Sequence, residues 1–338
     1  MQRYDIGQTY DWNYAHAPEH PVEIDVPPCP GSWDFCGLRV NSPLGIPAGP
    51  LLNSRWILYY ASLGFDVLVY KTVRSSYRAC YAPPNLLPVA GAPLTAEGRS
   101  LDAAPESPSW AISFGMPSRD PAEWRADVER ARRGLAPGQV LVVSVVASPQ
   151  PGWTMDDVAR DFAQCARWAA DAGAHAVEAN LSCPNVCTRE ADLYLLPEES
   201  ARIAAAVRAA VPELPLILKA GLFPHRDTAA AFLNAVHPHV TAVSATNSIT
   251  ATVRGPDGTL LFDGLRRGIG GPVITERCLA ETRMLAEFGG RLRLISVGGV
   301  SSTQDVRDRL AAGARHVQIA TAAMLDPLLA VRIRREGL

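Results

Sequence analysis

The sequence predicts an α/β protein: a closed (β/α)8 TIM barrel with an irregular N-terminal arm and an insertion after the second strand. Three observations carry that prediction. Eight short apolar runs alternate with amphipathic helical patterns between residues 44 and 334. Lysines, a thiol, amides and Gly-Gly pairs stand where those runs end, which is the end at which barrels of this kind carry their sites. No GxGxxG turn follows the first strand, which weakens an open doubly wound sheet as the alternative.

Residues 1–32 are rich in Pro, Asp, His and aromatics without sustained periodicity, and read as an arm wrapping the bottom of the barrel or a partner. The barrel domain then spans residues 33–338. Residues 33–40 alternate loosely and suit a small hairpin. The first strand is the small-residue run 44–50, whose Ala48 and Gly49 let a backbone approach a ligand. A helix over 54–63 stops at Gly64, and strand 67–71 ends in Lys71. The interval 72–115, rich in Pro, Ala and Ser, is too long for an ordinary connection and reads as a lid or binding loop containing Ser113. Asp120-Pro121 opens an amphipathic helix to residue 135.

From there the alternation is regular. Strand 140–146 leads to helix 155–172, the strand before Cys183 to helix 198–211, and strand 214–219 to helix 226–236. Strand 240–244 is followed by a loop and helix 274–288, strand 293–297 by helix 303–312, and strand 316–320 by a last helix over 327–334.

Composition bounds the chemistry. With 32 basic and 34 acidic residues the formal charge is −2, so neither nucleic acid nor an anionic membrane is an expected partner. The start lacks an apolar leader, and the longest apolar run, around 140–147, is far below the roughly 18 residues of a spanning helix, so the expected location is cytoplasmic. Seven scattered cysteines form neither a disulfide framework nor a zinc pattern, and no metal site is expected.

The strand ends carry the candidate site. Cys183 follows an apolar strand and lies between Asn180 and Asn185. A free Cys is often core filler, but amides need partners that an apolar pocket lacks. Lys219 ends strand 214–219, and Asn247-Ser248 follows strand 240–244. Gly298-Gly299 and Ala320-Thr321 follow the seventh and eighth strands, where barrels bind a phosphate through backbone N–H groups, and Gly271 adds flexible backbone. Two lysines and a phosphate cradle suit a phosphorylated flavin or a phosphosugar. The thiol and amides favour the flavin.

These residues also carry a family resemblance. From about residue 35 to 326 the chain resembles the dihydroorotate dehydrogenase family of FMN-dependent barrels, which includes the flavin domain of dihydropyrimidine dehydrogenase. The most specific match is Asn180-Leu181-Ser182-Cys183-Pro184-Asn185, similar to the segment of class 1 enzymes that carries the catalytic cysteine. Tyr70-Lys71-Thr72, Ser113-Phe114-Gly115-Met116-Pro117, Leu218-Lys219, Thr246-Asn247-Ser248-Ile249, Gly268-Ile269-Gly270-Gly271, Val297-Gly298-Gly299-Val300 and Ile319-Ala320-Thr321-Ala322 match in order.

The resemblance implies an FMN-dependent oxidoreductase acting on a CH–CH or C=C bond of a small cyclic substrate. It implies Cys183 as general base or acid while a hydride passes between the neighbouring carbon and flavin N5. Lys71, Ser113, Asn180, Asn185 and Asn247 would contact substrate. Lys219 would be the cation near flavin N1, with Lys71 and Asn180 also touching the ring. Ala48, Gly49, Ser248, Gly271, Gly298, Gly299, Ala320 and Thr321 would hold the cofactor. A homodimer, and a separate electron-transfer subunit, are partners the family admits.

Two departures bear on the substrate: Ile112 stands where class 1 enzymes have a substrate-binding Asn, and Ser118 where another Asn is usual. Dihydroorotate and a different cyclic amide or enone both stay open. Two further readings come from other classes: a phosphosugar lyase or isomerase using a Lys219 Schiff base, and a flavin-free binding relative.

Overall fold

The computed structural model describes residues 1–96, 98–182, 192–288 and 292–338. After a short helix, α1 (Tyr10–Ala15), a hairpin of β1 (Trp33–Phe35) and β2 (Leu38–Val40) leads into the barrel. Its first strands are β3 (Leu44–Ile46) and β4 (Val67–Val73), with α2 (Ser54–Ser62) between them. The side chain of Asn53 caps α2 by accepting from Trp56 N–H.

The chain then forms β5 (Leu86–Ala90), β6 (Arg99–Ala103), β7 (Trp110–Ile112) and α3 (Pro121–Gly134) before returning to the barrel. There follow β8 (Val140–Val145), α4 (Met155–Asp171), β9 (Ala176–Asn180), α5 (Pro197–Ala210), β10 (Leu216–Lys219), α6 (Arg226–Val236) and β11 (Ala242–Ala245). After β12 (Ile249–Arg254), β13 (Arg267–Gly270) and α7 (Thr275–Glu287), the barrel closes with β14 (Arg293–Val297), α8 (Thr303–Ala311) and β15 (His316–Gln318). All eight barrel strands run parallel, in the order β3-β4-β8-β9-β10-β11-β14-β15 and back to β3.

The runs expected as strands are strands because they are buried on both faces, where β-branched side chains pack best. Val67, Val69, Val140, Val142, Ala176, Ile217, Ala242 and Ile295 form one interior cluster. Phe35 of the hairpin joins this cluster and meets His316 edge-on, so the hairpin stoppers the amino-terminal end of the barrel.

The interval 72–115, expected as a lid or loop, contributes β5, β6 and β7 to a second closed sheet. β12 and β13, from the stretch read as a loop after β11, complete it. Local pattern could not show this, because the strands have three to six residues and Arg99 pairs with Ala251 across the chain. The small sheet has its own core around Val89, Leu101, Ala111, Val253 and Ile269.

The arm also departs from expectation. Its first part packs near the carboxyl ends of the strands rather than the bottom: Tyr4 and Tyr10 meet Phe114 edge-on, and Tyr10 N–H donates to Asn85 Oδ1 at 3.0 Å. The later part does reach the bottom: Arg334, which pairs with Asp66 just before β4, also donates to the Pro27 carbonyl. The expected last helix is two, α9 (Thr321–Leu325) and α10 (Leu329–Glu336). Among the described residues no helix is long and apolar enough to cross a membrane, and no group of three or more His, Cys, Asp or Glu side chains could hold a metal.

Candidate active site

The barrel and the small sheet line a cavity at the carboxyl ends of the strands. Strand β3 delivers Ala48 and Gly49 to its wall, β4 delivers Lys71, β9 Asn180 and β10 Lys219. Asn247 and Ser248 come from the turn after β11, and Gly271 from the end of β13. Gly298 and Gly299 follow β14, while Ala320 and Thr321 follow β15. Twelve residues proposed from strand ends thus share one cavity because parallel strands in register end together.

Ser113 lies apart from that wall: its hydroxyl accepts from Arg267 Nε at 2.9 Å. Cys183 and Asn185, and with them Cys187, lie outside the described residues. The departure at Ile112 is inside the cavity, whose apolar wall also includes Leu86, Trp110 and Phe114.

Both lysines are buried, Lys71 being 5% and Lys219 3% exposed. Lys71 Nζ is 6.0 Å from the centre of the Phe114 ring. Burial lowers the Lys219 pKa from the usual lysine value, and the neighbouring Glu178 carboxylate pushes it back up. Of the 32 basic residues in the chain only these two are lysine, and both face the cavity. An ammonium's charge is compact and tunable where a guanidinium's is neither. That count was a signal in the sequence that strand periodicity passed over.

The amides are pinned by the backbone next to Cys183. Asn180 Oδ1 accepts from Ser182 N–H at 3.2 Å, and its Nδ2 donates to Thr72 Oγ1 at 3.4 Å. Asn247 Nδ2 donates to the Ser182 carbonyl. Asn180 Nδ2 also donates to Met116 Sδ at 3.8 Å, a weak acceptor that a ligand oxygen can displace, and Asn247 keeps its amide oxygen for a ligand.

Three residues not anticipated from the strand ends shape the site. Arg309 of α8 is fully buried, and its guanidinium donates to the carbonyls of Gly298 at 2.8 Å and Thr275 at 2.9 Å. It braces the Gly298-Gly299 turn from behind. Gly299 has φ +76°, and a Cβ there would meet the Thr275 backbone at 2.5 Å, so no side chain fits. Gln318 of β15 faces the cavity with neither amide atom hydrogen-bonded among the described residues. Arg267 is held between the rings of Tyr81 and Phe262.

These features fit the flavin phosphate that the resemblance implies. Among the described residues the N–H groups of Gly299 and Thr321 donate no hydrogen bond, and the Gln318 amide is an orphan on the wall. Unpaired polar groups lining a cavity mark where a polar ligand completes the pairing. Lys219 adds a buried lysine side chain to the same cavity.

Comparison with known proteins accords with this reading. A family profile described as "Dihydroorotate dehydrogenase" matches residues 128–337. A dihydroorotate dehydrogenase of Dictyostelium discoideum is 30% identical, over 97% of this chain and 95% of its own length. A dihydroorotate dehydrogenase (quinone) of Kineococcus radiotolerans is 29% identical over 89% and 82%. The crystal structure of DHODH in complex with ferulenol from Eimeria tenella superposes with a TM-score of 0.75 at 16% identity, covering 94% of this chain and 85% of that one, which supports the fold. With the profile spanning most of the barrel and a relative aligned along nearly the whole chain, this protein belongs to the dihydroorotate dehydrogenase family and is an FMN-dependent oxidoreductase acting on CH–CH groups.

Proposed function

We propose that the enzyme oxidises dihydroorotate to orotate, with Cys183 removing the proton from one ring carbon as the hydride leaves the next. The observation that carries this is the paired polarity of Asn180 and Asn247 in one cavity with two buried lysines. A cyclic ureide presents C=O and N–H groups side by side. The Asn180 N–H that rests only on the weakly accepting Met116 sulfur suits the first, and the free oxygen of Asn247 the second. FMN, when bound, supplies the hydride acceptor.

The chain's own residues then have separable tasks. Lys71, beside the Phe114 ring, brings positive charge to the cavity and would favour the thiolate form of Cys183. Lys219 would supply the cation that offsets the negative charge FMN gains on reduction. Asn180 and Asn247 both grip Ser182, and so fix the residue that precedes the base. Gly299 and Thr321 N–H groups, with Ser248, would hold the phosphate. Ile112 favours a second substrate, a cyclic amide with an apolar edge, because its side chain lines the wall where an Asn would read a polar atom.

Replacing the base tests the reading. Cys183→Ala should keep the flavin and lose turnover on dihydroorotate. Undiminished steady-state rates would remove Cys183 from the role.

A further inference from the structure

Glu178 lies in the middle of β9 and is 1% exposed, yet neither carboxyl oxygen has a hydrogen-bond partner among the described residues. It points into the barrel. Ala176, two residues before it, belongs to the interior cluster, and Asn180, two residues after it, lines the cavity. Strand alternation places Glu178 on the same face, one layer beneath the cavity floor. In register Glu178 sits between Ser144 of β8 and Ile217 of β10, and Lys219 is the next inward residue of β10 after Ile217. Carboxylate and ammonium are thus diagonal neighbours across one strand pair.

An isolated charge in such a layer is heavily disfavoured, whereas opposite charges on adjoining strands offset each other. The other described groups facing Lys219 supply no second negative charge. Ser244 stands beside it on β11, and Val297 and Gln318 come from β14 and β15. Lys71, across the cavity on β4, is of like sign. Among the described residues Ser244 Oγ and both amide atoms of Gln318 also lack hydrogen-bond partners.

We propose that Glu178 is a positioning residue: the buried counter-charge that keeps Lys219 an ammonium beneath the flavin. It touches neither substrate nor cofactor and acts through Lys219. This rests on the FMN reading of the cavity. A cation there favours the anionic reduced ring, so loss of Glu178 should deprotonate Lys219 and make the bound flavin harder to reduce.

The chain's two lysines permit a direct test. In the FMN-loaded full chain labelled with 15N-lysine, the side-chain nitrogens of Lys71 and Lys219 are followed against pH. Lys219 should be protonated at pH 7 in the parent protein. In Glu178→Gln its midpoint should fall by about one pH unit or more, while Lys71 stays within a few tenths. Glu178→Asp should recover most of the shift. The flavin midpoint potential should fall in Glu178→Gln, and not fall again when Glu178→Gln is added to Lys219→Met.

A Lys219 midpoint unmoved or raised in Glu178→Gln would overturn the proposal, as would equal potential shifts in both backgrounds. If the Gln variant does not fold, a parent Lys219 already neutral at pH 7 still refutes it. Failure of the FMN reading would show differently, as a protein that takes up no flavin.

Discussion

Arg309 makes the most quantitative demand on this architecture. Its guanidinium donates to the Gly298 and Thr275 carbonyls and to Ser296 Oγ at 3.0 Å, and none of it reaches solvent. In Arg309→Met the Gly298 carbonyl loses its donor and cannot turn to water, while the Thr275 carbonyl keeps the N–H of its own helix. With an orphaned group at about 1–3 kcal/mol and a charged donor at the upper end, the cost is about 2–3 kcal/mol. Not having to bury a guanidinium offsets part of it, leaving about 1–2 kcal/mol. If half of that is felt at the Gly298-Gly299 turn, the Kd for FMN rises about 2- to 5-fold, since 1.4 kcal/mol is a factor of ten. Quenching of FMN fluorescence on titration measures the affinity, and urea denaturation of the flavin-free protein measures the stability. A variant with the parent's Kd and urea midpoint would mean that Arg309 does not hold the turn.

Two further perturbations test other parts of the account. Ile112→Asn restores an amide to the cavity wall and should raise kcat/KM for dihydroorotate about 5- to 150-fold, the equivalent of one pairing worth about 1–3 kcal/mol. No gain would place the selectivity elsewhere in the pocket. His175 accepts the Leu141 N–H through Nδ1 at 2.9 Å, and burial, aided by Arg132, pushes its pKa down to about 4. The neutral ring is therefore favoured in the fold. Its contribution is present above the ordinary histidine value of about 6.5 and is lost as pH falls through about 4. For a half-exposed ring that loss is about 1–2 kcal/mol. Thermal melts across this window should show it in the parent and not in His175→Leu. Parallel curves would assign the acid sensitivity to other groups.

The barrel was legible because its strands are sealed on both faces. Runs such as Val67 to Val69 and Val140 to Val143 leave no solvent side, so composition alone marks them. The cavity followed from the same logic, since residues just past parallel strands must converge. The small sheet was not legible: β7 has three residues, and its partners β5 and β13 lie on either side of it in sequence with no tight turn to announce the pairing. The arm's course was hidden too, being decided by Tyr4 and Tyr10 against Phe114, a contact between distant segments. Arg309 and Glu178 escaped notice for a different reason. Each sits where the local pattern predicts an ordinary residue, a helix surface or a strand interior, and its importance arises only from what the barrel places against it.

The most direct test of the central claim is a visible absorption spectrum of the purified protein, followed by anaerobic addition of dihydroorotate. The account predicts a flavin band that bleaches as the bound FMN is reduced. A band that persists would keep the flavin and exclude dihydroorotate as the substrate. A colourless protein that also refuses added FMN would contradict the account at its root.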